Sequence, residues 1–289
     1  MKDFPIPVRS ADDILGPGSQ TGEGDGFSYT PFPREVPAFS KPRVGSADAA
    51  SIGAARNLLV RFVEEMHAGA PRFELATLPP TVVRVLNESL GEGEVSVRIA
   101  EHNGDDVEIR IQETVFAGVW REQHLRGNGA LVHDWLQACP VPPVALERAR
   151  HAASTHLPTL EMPRGAMNTP ALLTEIREHV LHFAPGKPTH VINLTLLPLT
   201  PEDHAMIERI APVGPVAILS RGFGNCRITS TRLCNLWRVQ YFNSMQTLIL
   251  NTLEVVDVPE VALAADDDLA DSRERLRELV DWMGESGSA

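Results

Sequence analysis

Three cysteines and ten histidines are the residues of this 289-residue chain that could bind a metal or do redox chemistry. The cysteines are odd in number and lack a CxxC spacing, so a reducing compartment fits better than a disulfide framework. Cys226 and Cys234 on one strand would be about 26 Å apart, too far to share a metal ion unless the chain bends sharply near residues 229–231. We therefore predict buried structural thiols, and keep a transient metal or cluster contact at Cys226 and Cys234 as the alternative.

The histidines and glycines do not form a recognisable catalytic or cofactor motif. His179 and His182 share one face of a predicted helix, but a third ligand at a known spacing is missing, so surface or packing roles are favoured. The chain has no P-loop, GxSxG or HExxH motif. The glycines at 16–26 are not framed by a strand and a helix, as a phosphate cradle requires. The sequence predicts a protein that is not an enzyme and holds no resident cofactor.

The charge and the apolar runs of the chain indicate which partners and which compartment we expect. The chain carries 26 Lys and Arg against 38 Asp and Glu, a net charge of -12, and this excess repels phosphate backbones and disfavours nucleic acid. The N-terminus has no apolar stretch that would serve as a signal peptide. Other apolar runs are far shorter than the roughly 18–20 residues that span a bilayer. We expect a cytoplasmic protein with neither a nucleic-acid nor a membrane partner.

An internal repeat indicates the architecture that positions these residues. Residues 111–146 align with residues 228–263 without a gap at a constant offset of 117, and 12 of the 36 positions are identical, more than unrelated segments would share. The repeat extends upstream, where LATLP at 75–79 matches LTLLP at 194–198. Self-similarity of this kind indicates one structural unit present twice.

Local patterns give the elements of each unit: a helix, a strand, a second helix and a meander of three antiparallel strands. Thr200, Pro201 and Asp203 predict a capped helix start, and Ser272 is the expected N-cap of a final amphipathic helix. Turn residues at 103–104 and 126–129 separate the strands of the first meander. The predicted α+β chain therefore comprises an irregular arm (1–45), a first repeat (46–146), a linker (147–168), a second repeat (169–265), and a C-terminal helix and tail (266–289).

The pair Trp-Arg recurs at matching repeat positions, as Trp120-Arg121 and Trp237-Arg238. The favoured interpretation is a core tryptophan with an outward arginine on the same strand. The alternative is a duplicated recognition patch, because Trp and Arg are enriched at interface hot spots. Arg121 and Arg238 are therefore candidate partner-binding residues.

An acidic loop distinguishes the first copy from the second. Residues 91–94 read GEGE, whereas residues 212–215 of the second copy read PVGP. Divergence of function between repeats would produce this difference, and so would neutral drift of a turn. Glu92 and Glu94 are candidate partner-binding residues on this basis.

Several segments resemble the HupH/HyaF family of hydrogenase expression/formation proteins. The matching stretches are LGPGSQ (15–20), LGEGEVSVRI (90–99), QETVFAGVW (112–120), INLTLLPL (192–199), GFGNCRI (222–228), NLWRVQYFNS (235–244) and VPEVALAADDDL (258–269). Together they extend along most of the chain. The GFGNCRI stretch adds Phe223 and Asn225 to the partner-binding candidates. Phe223 departs from the family, which more often has Tyr there, and the departure removes a hydroxyl.

This resemblance implies an accessory chaperone in [NiFe]-hydrogenase maturation. Its expected partner is the immature iron–sulfur small subunit before assembly and export by the twin-arginine route, and a thioredoxin-like accessory protein is a second expected partner. The alternative function is an iron–sulfur or metal-handling protein that carries or transfers a cofactor to the hydrogenase. Cys226 and Cys234 would be its ligands.

Overall fold

The structure, a computed structural model, describes residues 47–100, 107–222 and 224–286. The predicted arm, the predicted turn at 103–104 and Phe223 lie outside these residues. Six helices are described: α1 (Ala49–Glu65), α2 (Pro80–Leu90), α3 (Pro143–His151), α4 (Thr169–Leu181), α5 (Pro201–Ile210) and α6 (Asp266–Ser286). Ten strands are described: β1 (Arg72–Glu74), β2 (Val95–Ile99), β3 (Val107–Glu113), β4 (Val119–Arg126), β5 (Leu131–Ala138), β6 (His190–Asn193), β7 (Val213–Ser220), β8 (Asn225–Thr231), β9 (Leu236–Phe242) and β10 (Leu248–Val255).

All ten strands form one antiparallel sheet in the order β1-β5-β4-β3-β2-β7-β8-β9-β10-β6. The two halves meet where β2 pairs with β7, and Val97 lies opposite Ile218 in that pair. Outward from the junction, each half has the same order: the four consecutive meander strands that follow its inner helix, and then a short edge strand from earlier in the sequence. The mixed α+β prediction is confirmed, and this shared order supports the predicted duplication.

Helices cover one face of the sheet and part of the other. In the first half, α1, α2 and α6 bury one core around Leu59, Phe62 and Leu276. In the second half, α4 and α5 bury another around Ile176 and Met206. On the opposite face, α3 and the 3-10 turn Glu260–Ala262 cover the central strands. Within the described residues, no helix has both the length and the apolar character to cross a membrane.

Helix starts follow the predicted capping chemistry in one case and depart from it in another. Thr200 accepts a hydrogen bond from the Asp203 N–H, and Asp203 accepts one from the Thr200 N–H, so the predicted capping box of α5 is confirmed. The prediction that Ser272 begins α6 is wrong, because that helix starts at Asp266. Ser272 is buried inside α6 and donates its hydroxyl hydrogen bond to the Ala117 carbonyl.

The predicted number of meander strands is also wrong, since each half has four and not three. In the first half the chain turns between Glu113 and Val119, inside a stretch that reads as one strand. Thr114 Oγ1 accepts the Phe116 N–H, and Gly118 adopts a φ of 75° that favours glycine. The predicted turn at 126–129 is present, with Gly129 at a φ of 80°. The linker predicted from residue 147 begins within α3, which continues to His151.

Candidate partner-binding site

Two loops meet at the centre of the sheet, at the end of the β2–β7 pair where Val95 lies opposite Ser220. One loop is residues 91–94, between α2 and β2, and the other joins β7 to β8. The Arg221 N–H donates to the Glu94 carbonyl at 3.2 Å. We call residues 91–94 together with 221, 222, 224 and 225 the loop seam. The seam joins the two halves of the sheet at one end, so it combines residues of both repeats.

Glycines allow the two loops of the seam to approach each other. A Cβ atom at Gly222 would clash with the Glu94 carboxylate, and one at Gly93 would clash with the Thr114 carbonyl. Gly91 ends α2 with a φ of 60°. The Gly93 N–H donates to the Glu113 carbonyl at 2.7 Å. Glycine is therefore required at 93, where the neighbouring atoms are backbone, whereas a larger residue at 222 would displace the half-buried Glu94 carboxylate.

A buried carboxyl group lies beneath the seam at the end of β3. Glu113 is 7% exposed, and its Oε1 accepts the Gly118 N–H at 2.9 Å. The pKa of Glu113 is raised to about 7, chiefly by burial. The carboxylates of Glu94 and Asp268 also raise this pKa, whereas hydrogen bonds from Gly118 and Val95 lower it. The first half therefore has a carboxyl group that titrates near neutral pH beneath its acidic loop.

The structure places three of the six predicted partner-binding residues around the seam. Glu92 is exposed, whereas Glu94 and Asn225 are half-buried. Asn225 begins β8 and lies opposite Phe242 of β9. Sequence reasoning had selected Glu92 and Glu94 from one repeat and Asn225 from the other, and the β2–β7 pairing brings them to the same end of the sheet.

Arg121 and Arg238 lie on the face of the sheet that α2 and α5 cover. Each arginine binds one residue of these helices and one residue of a neighbouring strand. Arg121 donates to both carboxylate oxygens of Asp134, at 2.9 Å from Nε and 2.6 Å from the second nitrogen. Its remaining nitrogen donates to the Asn87 side-chain oxygen on α2. Since Asp134 is on β5 and Asn87 is on α2, Arg121 joins the inner helix to the sheet of the first half.

The second half repeats this arrangement with the polar groups exchanged. Arg238 donates from Nε to the Asn251 side-chain oxygen at 3.1 Å, and a second nitrogen donates to the Glu208 carboxylate on α5. In the first half the carboxylate is on the strand and the amide on the helix. In the second half the amide is on the strand and the carboxylate on the helix. Each arginine thus retains one carboxylate and one amide, which gives both a structural role.

The two tryptophans are core residues, as the favoured interpretation predicted. Trp120 and Trp237 are 1% and 3% exposed and belong to one core cluster on the face opposite the arginines. The Trp120 indole N–H donates to the Cys139 carbonyl at 2.9 Å, and that of Trp237 to the Asp257 carbonyl at 3.1 Å. Both indoles are therefore satisfied inside the protein.

The cysteines are not brought together. Cys226 lies in β8 opposite Ser220 and Tyr241, and Cys234 lies in the turn beyond the far end of that strand. Burial raises the pKa of the Cys226 thiol to about 11. Within the described ranges, no group of three His, Cys, Asp or Glu side chains is placed to hold a metal ion.

The two histidines of the predicted helix have different partners. His179 stacks on His190 of β6 with ring centroids 3.4 Å apart and planes within 6°. His182 binds the Glu178 carbonyl oxygen instead. Parallel stacked rings direct their nitrogen lone pairs into separate planes, which does not suit shared metal ligation.

A polar cluster in the first half was missed by sequence reasoning. Glu122 is 1% exposed and binds Arg72 at 2.9 Å, His124 at 2.7 Å and Gln137 at 2.6 Å. Arg72 also lies 3.7 Å above the Trp135 ring. The strand alternation does place Glu122 on the same face as Trp120, and this position next to a core tryptophan was the available signal for its burial.

Comparison with known proteins places the chain in a family. A family model described as the HupH hydrogenase expression protein, C-terminal conserved region, matches residues 59–157 and 166–283. These two segments correspond approximately to the two halves of the sheet, which hints at a tandem repeat.

Relatives match over nearly the whole length. The hydrogenase expression/formation protein HoxQ of Cupriavidus necator is 40% identical over 98% of this chain and 99% of its own. The hydrogenase-1 operon protein HyaF of Escherichia coli is 34% identical over 94% and 96%. A solved structure, the hydrogenase expression protein HupH from Thiobacillus denitrificans, is 28% identical over 38% of this chain and 92% of its own, with a TM-score of 0.36 that is too low to bear on the fold. The chain belongs to the HupH family of hydrogenase expression/formation proteins.

Proposed function

We propose that this protein is a non-enzymatic chaperone that binds the immature iron–sulfur small subunit of a [NiFe]-hydrogenase before assembly and export. The observation that carries the proposal is the near full-length similarity to proteins named for hydrogenase expression and formation. Those names support a role in hydrogenase maturation and suggest an accessory rather than a catalytic one. The small subunit as client is our own extension.

The loop seam is the part of the molecule that we propose contacts the client. It combines the exposed Glu92 and half-buried Glu94 of the first repeat with Asn225 of the second, and Phe223 lies between residues of its second loop. Arg121 and Arg238 remain proposed partner-binding residues, but each is bound within the protein by a carboxylate and an amide. Charge reversal at either arginine would therefore test stability before it tested recognition.

Co-purification with separated hydrogenase subunits tests the proposal. The tagged protein is mixed with the small-subunit precursor, the large subunit, or the mature heterodimer at equal concentrations. We expect retention of the isolated small subunit and not of the heterodimer, because assembly would bury the recognised surface, typically about 800 Å² per partner. Retention of the heterodimer alone, or of neither subunit, would refute the proposal.

Two further observations come from the same preparations. Visible and EPR spectra of the anaerobically purified protein test the alternative in which the chain itself carries a cluster; iron–sulfur absorption that is lost in Cys226→Ser would favour that alternative. We also propose a thioredoxin-like accessory protein as a second partner. Adding the accessory protein to the retained complex should yield a ternary complex. If the accessory protein co-purified with neither partner, the proposal of a second partner would be refuted.

A further inference from the structure

Four large apolar side chains are exposed at the outer corner of the second half. They are Leu196, Met245, Leu248 and Ile249, and they are 80%, 83%, 43% and 56% exposed. Leu196 ends the 3-10 turn that lies against β10, Met245 is in the β9–β10 turn, and Leu248 and Ile249 begin β10. We call these four residues the β10 corner. Soluble proteins rarely group exposed side chains of this size without a binding role.

The main chain of β10 extends past its neighbour at this corner. Within the part of the chain that the structure describes, β6 pairs with residues 252–255 of β10, and the first half of β10 has no strand on that side. The Asn251 N–H donates to Thr195 Oγ1 at 2.8 Å instead of to a strand carbonyl. The Asn251 main-chain amide is therefore already bound, and residues 248–250 are the part of this edge that can offer backbone donors and acceptors to another extended segment.

The corner is also free of charge in a strongly acidic protein. Residues 239–253 and 191–201 contain no Asp, Glu, Lys or Arg, although the whole chain has 64 such residues and a net charge of -12. The equivalent first-half segment, 122–136, contains Glu122, Arg126 and Asp134. The Arg227 guanidinium lies beside the corner, 5.5 Å from the Phe242 ring. Since the segments that form the corner carry no charge themselves, their composition favours an uncharged apolar partner segment.

The corner is continuous with the loop seam. Asn225 of the seam lies opposite Phe242 of β9, and Phe242 lies opposite Leu248 of β10. These three residues form a row across neighbouring strands that are about 4.8 Å apart. One ligand can therefore contact both regions.

From these observations we propose that the β10 corner binds an extended, uncharged apolar segment of the client polypeptide, which adds as a strand beside residues 248–250. This inference rests on the proposed function and names the part of the client that is recognised. A strand fits better than a helix because the open edge of β10 offers main-chain hydrogen bonds, while the four side chains supply apolar contact. Because the corner segments carry no charged residue, we expect the corner to bind client segments that are also without charged residues.

Matched lysine substitutions test the proposal on the full-length protein. Leu248 and Leu131 occupy equivalent repeat positions and are 43% and 46% exposed. We expect Leu248→Lys to weaken binding of the isolated small subunit at least about tenfold, as loss of a central interface contact does. Leu131→Lys should bind like the unsubstituted protein. If the unsubstituted protein does not bind, the proposed function fails; if it binds and both variants bind equally, only the present inference fails.

Hydrogen–deuterium exchange distinguishes strand addition from side-chain contact. Binding of the small subunit should slow amide exchange in residues 248–250 and leave residues 131–133 unchanged. Unchanged exchange at 248–250 in the complex would overturn the added strand. Sedimentation of the protein alone tests whether a second copy of this chain binds the corner instead. Concentration-dependent dimers that Leu248→Lys abolishes would assign the corner to that second copy and overturn the proposal.

Discussion

The two outer edges of the sheet are built from equivalent strands but present different surfaces. At the first edge, the Trp135 ring stacks with His133 and lies 3.7 Å from the Arg72 guanidinium, and Glu74 accepts the Asp134 N–H at 3.0 Å. At the second edge, the equivalent strand begins with exposed leucine and isoleucine. Within the described residues, both edges leave the beginning of the strand without a strand partner on its outer side, and in both a side chain accepts one of its N–H groups. The edges differ in their side chains, because charged and aromatic groups surround the first edge, whereas the second carries uncharged apolar groups.

The interior of the two halves differs much less. Both retain a buried tryptophan, and both fix the inner helix with an arginine bound by one carboxylate and one amide. The carboxylate and amide have exchanged positions between helix and strand, which preserves the charge balance around each arginine. Duplication has therefore conserved the frame of each half and let the edges diverge, as expected if one edge has a binding role and the other does not.

The largest expected effect comes from removing the strand carboxylate of the first arginine network. Asp134 is 1% exposed and accepts two hydrogen bonds from Arg121, so Asp134→Ala leaves a mostly buried cation without its counter-ion. We expect a loss of about 3–5 kcal/mol in the free energy of unfolding. Asn251→Ala should cost about 1 kcal/mol, since Arg238 keeps Glu208. Urea denaturation measures both, and equal losses would contradict the exchanged roles.

Glu113 should make the stability of the first half depend on pH, and its repeat equivalent is the non-titrating Ser230. The pKa of Glu113 rises from 4.5 to about 7 on folding, so the native state binds the proton more tightly than the unfolded state. The free energy of unfolding therefore falls as pH rises from about 5 to 8, by up to about 3 kcal/mol.

Glu113→Gln removes this contribution while Glu94 and Asp268, the carboxylates that face it, are kept. Relative to the unsubstituted protein, the variant should gain stability progressively between pH 5 and pH 8. Denaturation at several pH values measures the difference. Parallel profiles for the two proteins would show that Glu113 is not the titrating group.

A designed exchange should transfer the second-half network into the first half. Asp134→Asn alone should cost about 2 kcal/mol, because it removes the charge partner of Arg121. Adding Asn87→Glu places a carboxylate on α2, where Glu208 lies on α5, and should recover about half of that loss. A double-mutant cycle gives the coupling energy. If Asn87→Glu has the same effect with and without Asp134→Asn, the two positions are not coupled.

The smallest expected effect is on stability at the edges themselves. Leu248→Lys and Leu131→Lys should each change the free energy of unfolding by about 0.5 kcal/mol or less, because both leucines are substantially exposed. Thermal unfolding of the two variants measures this. A loss of more than about 2 kcal/mol for Leu248→Lys alone would mean that this residue is needed for packing and would remove it as a probe of binding.

Features set by neighbouring residues were accessible from the sequence. The capping box of Thr200 and Asp203 depends on residues three apart, and the turn at 126–129 on its glycines, so both were predicted. The turn after Glu113 was not, because Thr114 and Gly118 build it inside a run of apolar residues that reads as one continuous strand. This turn is defined by the hydrogen bond from the Phe116 N–H to the Thr114 hydroxyl, and not by a residue pair that is typical of turns.

Long-range pairing accounts for the rest. The junction of β2 with β7 joins residues more than 100 positions apart, and no local pattern specifies it. Without that junction, the convergence of Glu94 and Asn225 at one seam was also hidden. The arginine networks were partly accessible, since aligning Asp134 with Asn251 already shows a carboxylate replaced by an amide. The compensating change on the helices lies outside the gapless block.

Site-specific photo-crosslinking tests most directly the central claim, that the β10 corner of the second half contacts the client. A photoreactive phenylalanine analogue is placed at Ile249 in one protein and at its repeat equivalent, Val132, in another, and each is irradiated with the isolated small subunit. The account predicts a crosslink from position 249, mapped to an uncharged apolar segment of the small subunit, and none from position 132. Crosslinking from position 132 alone, or equally from both positions, would contradict it.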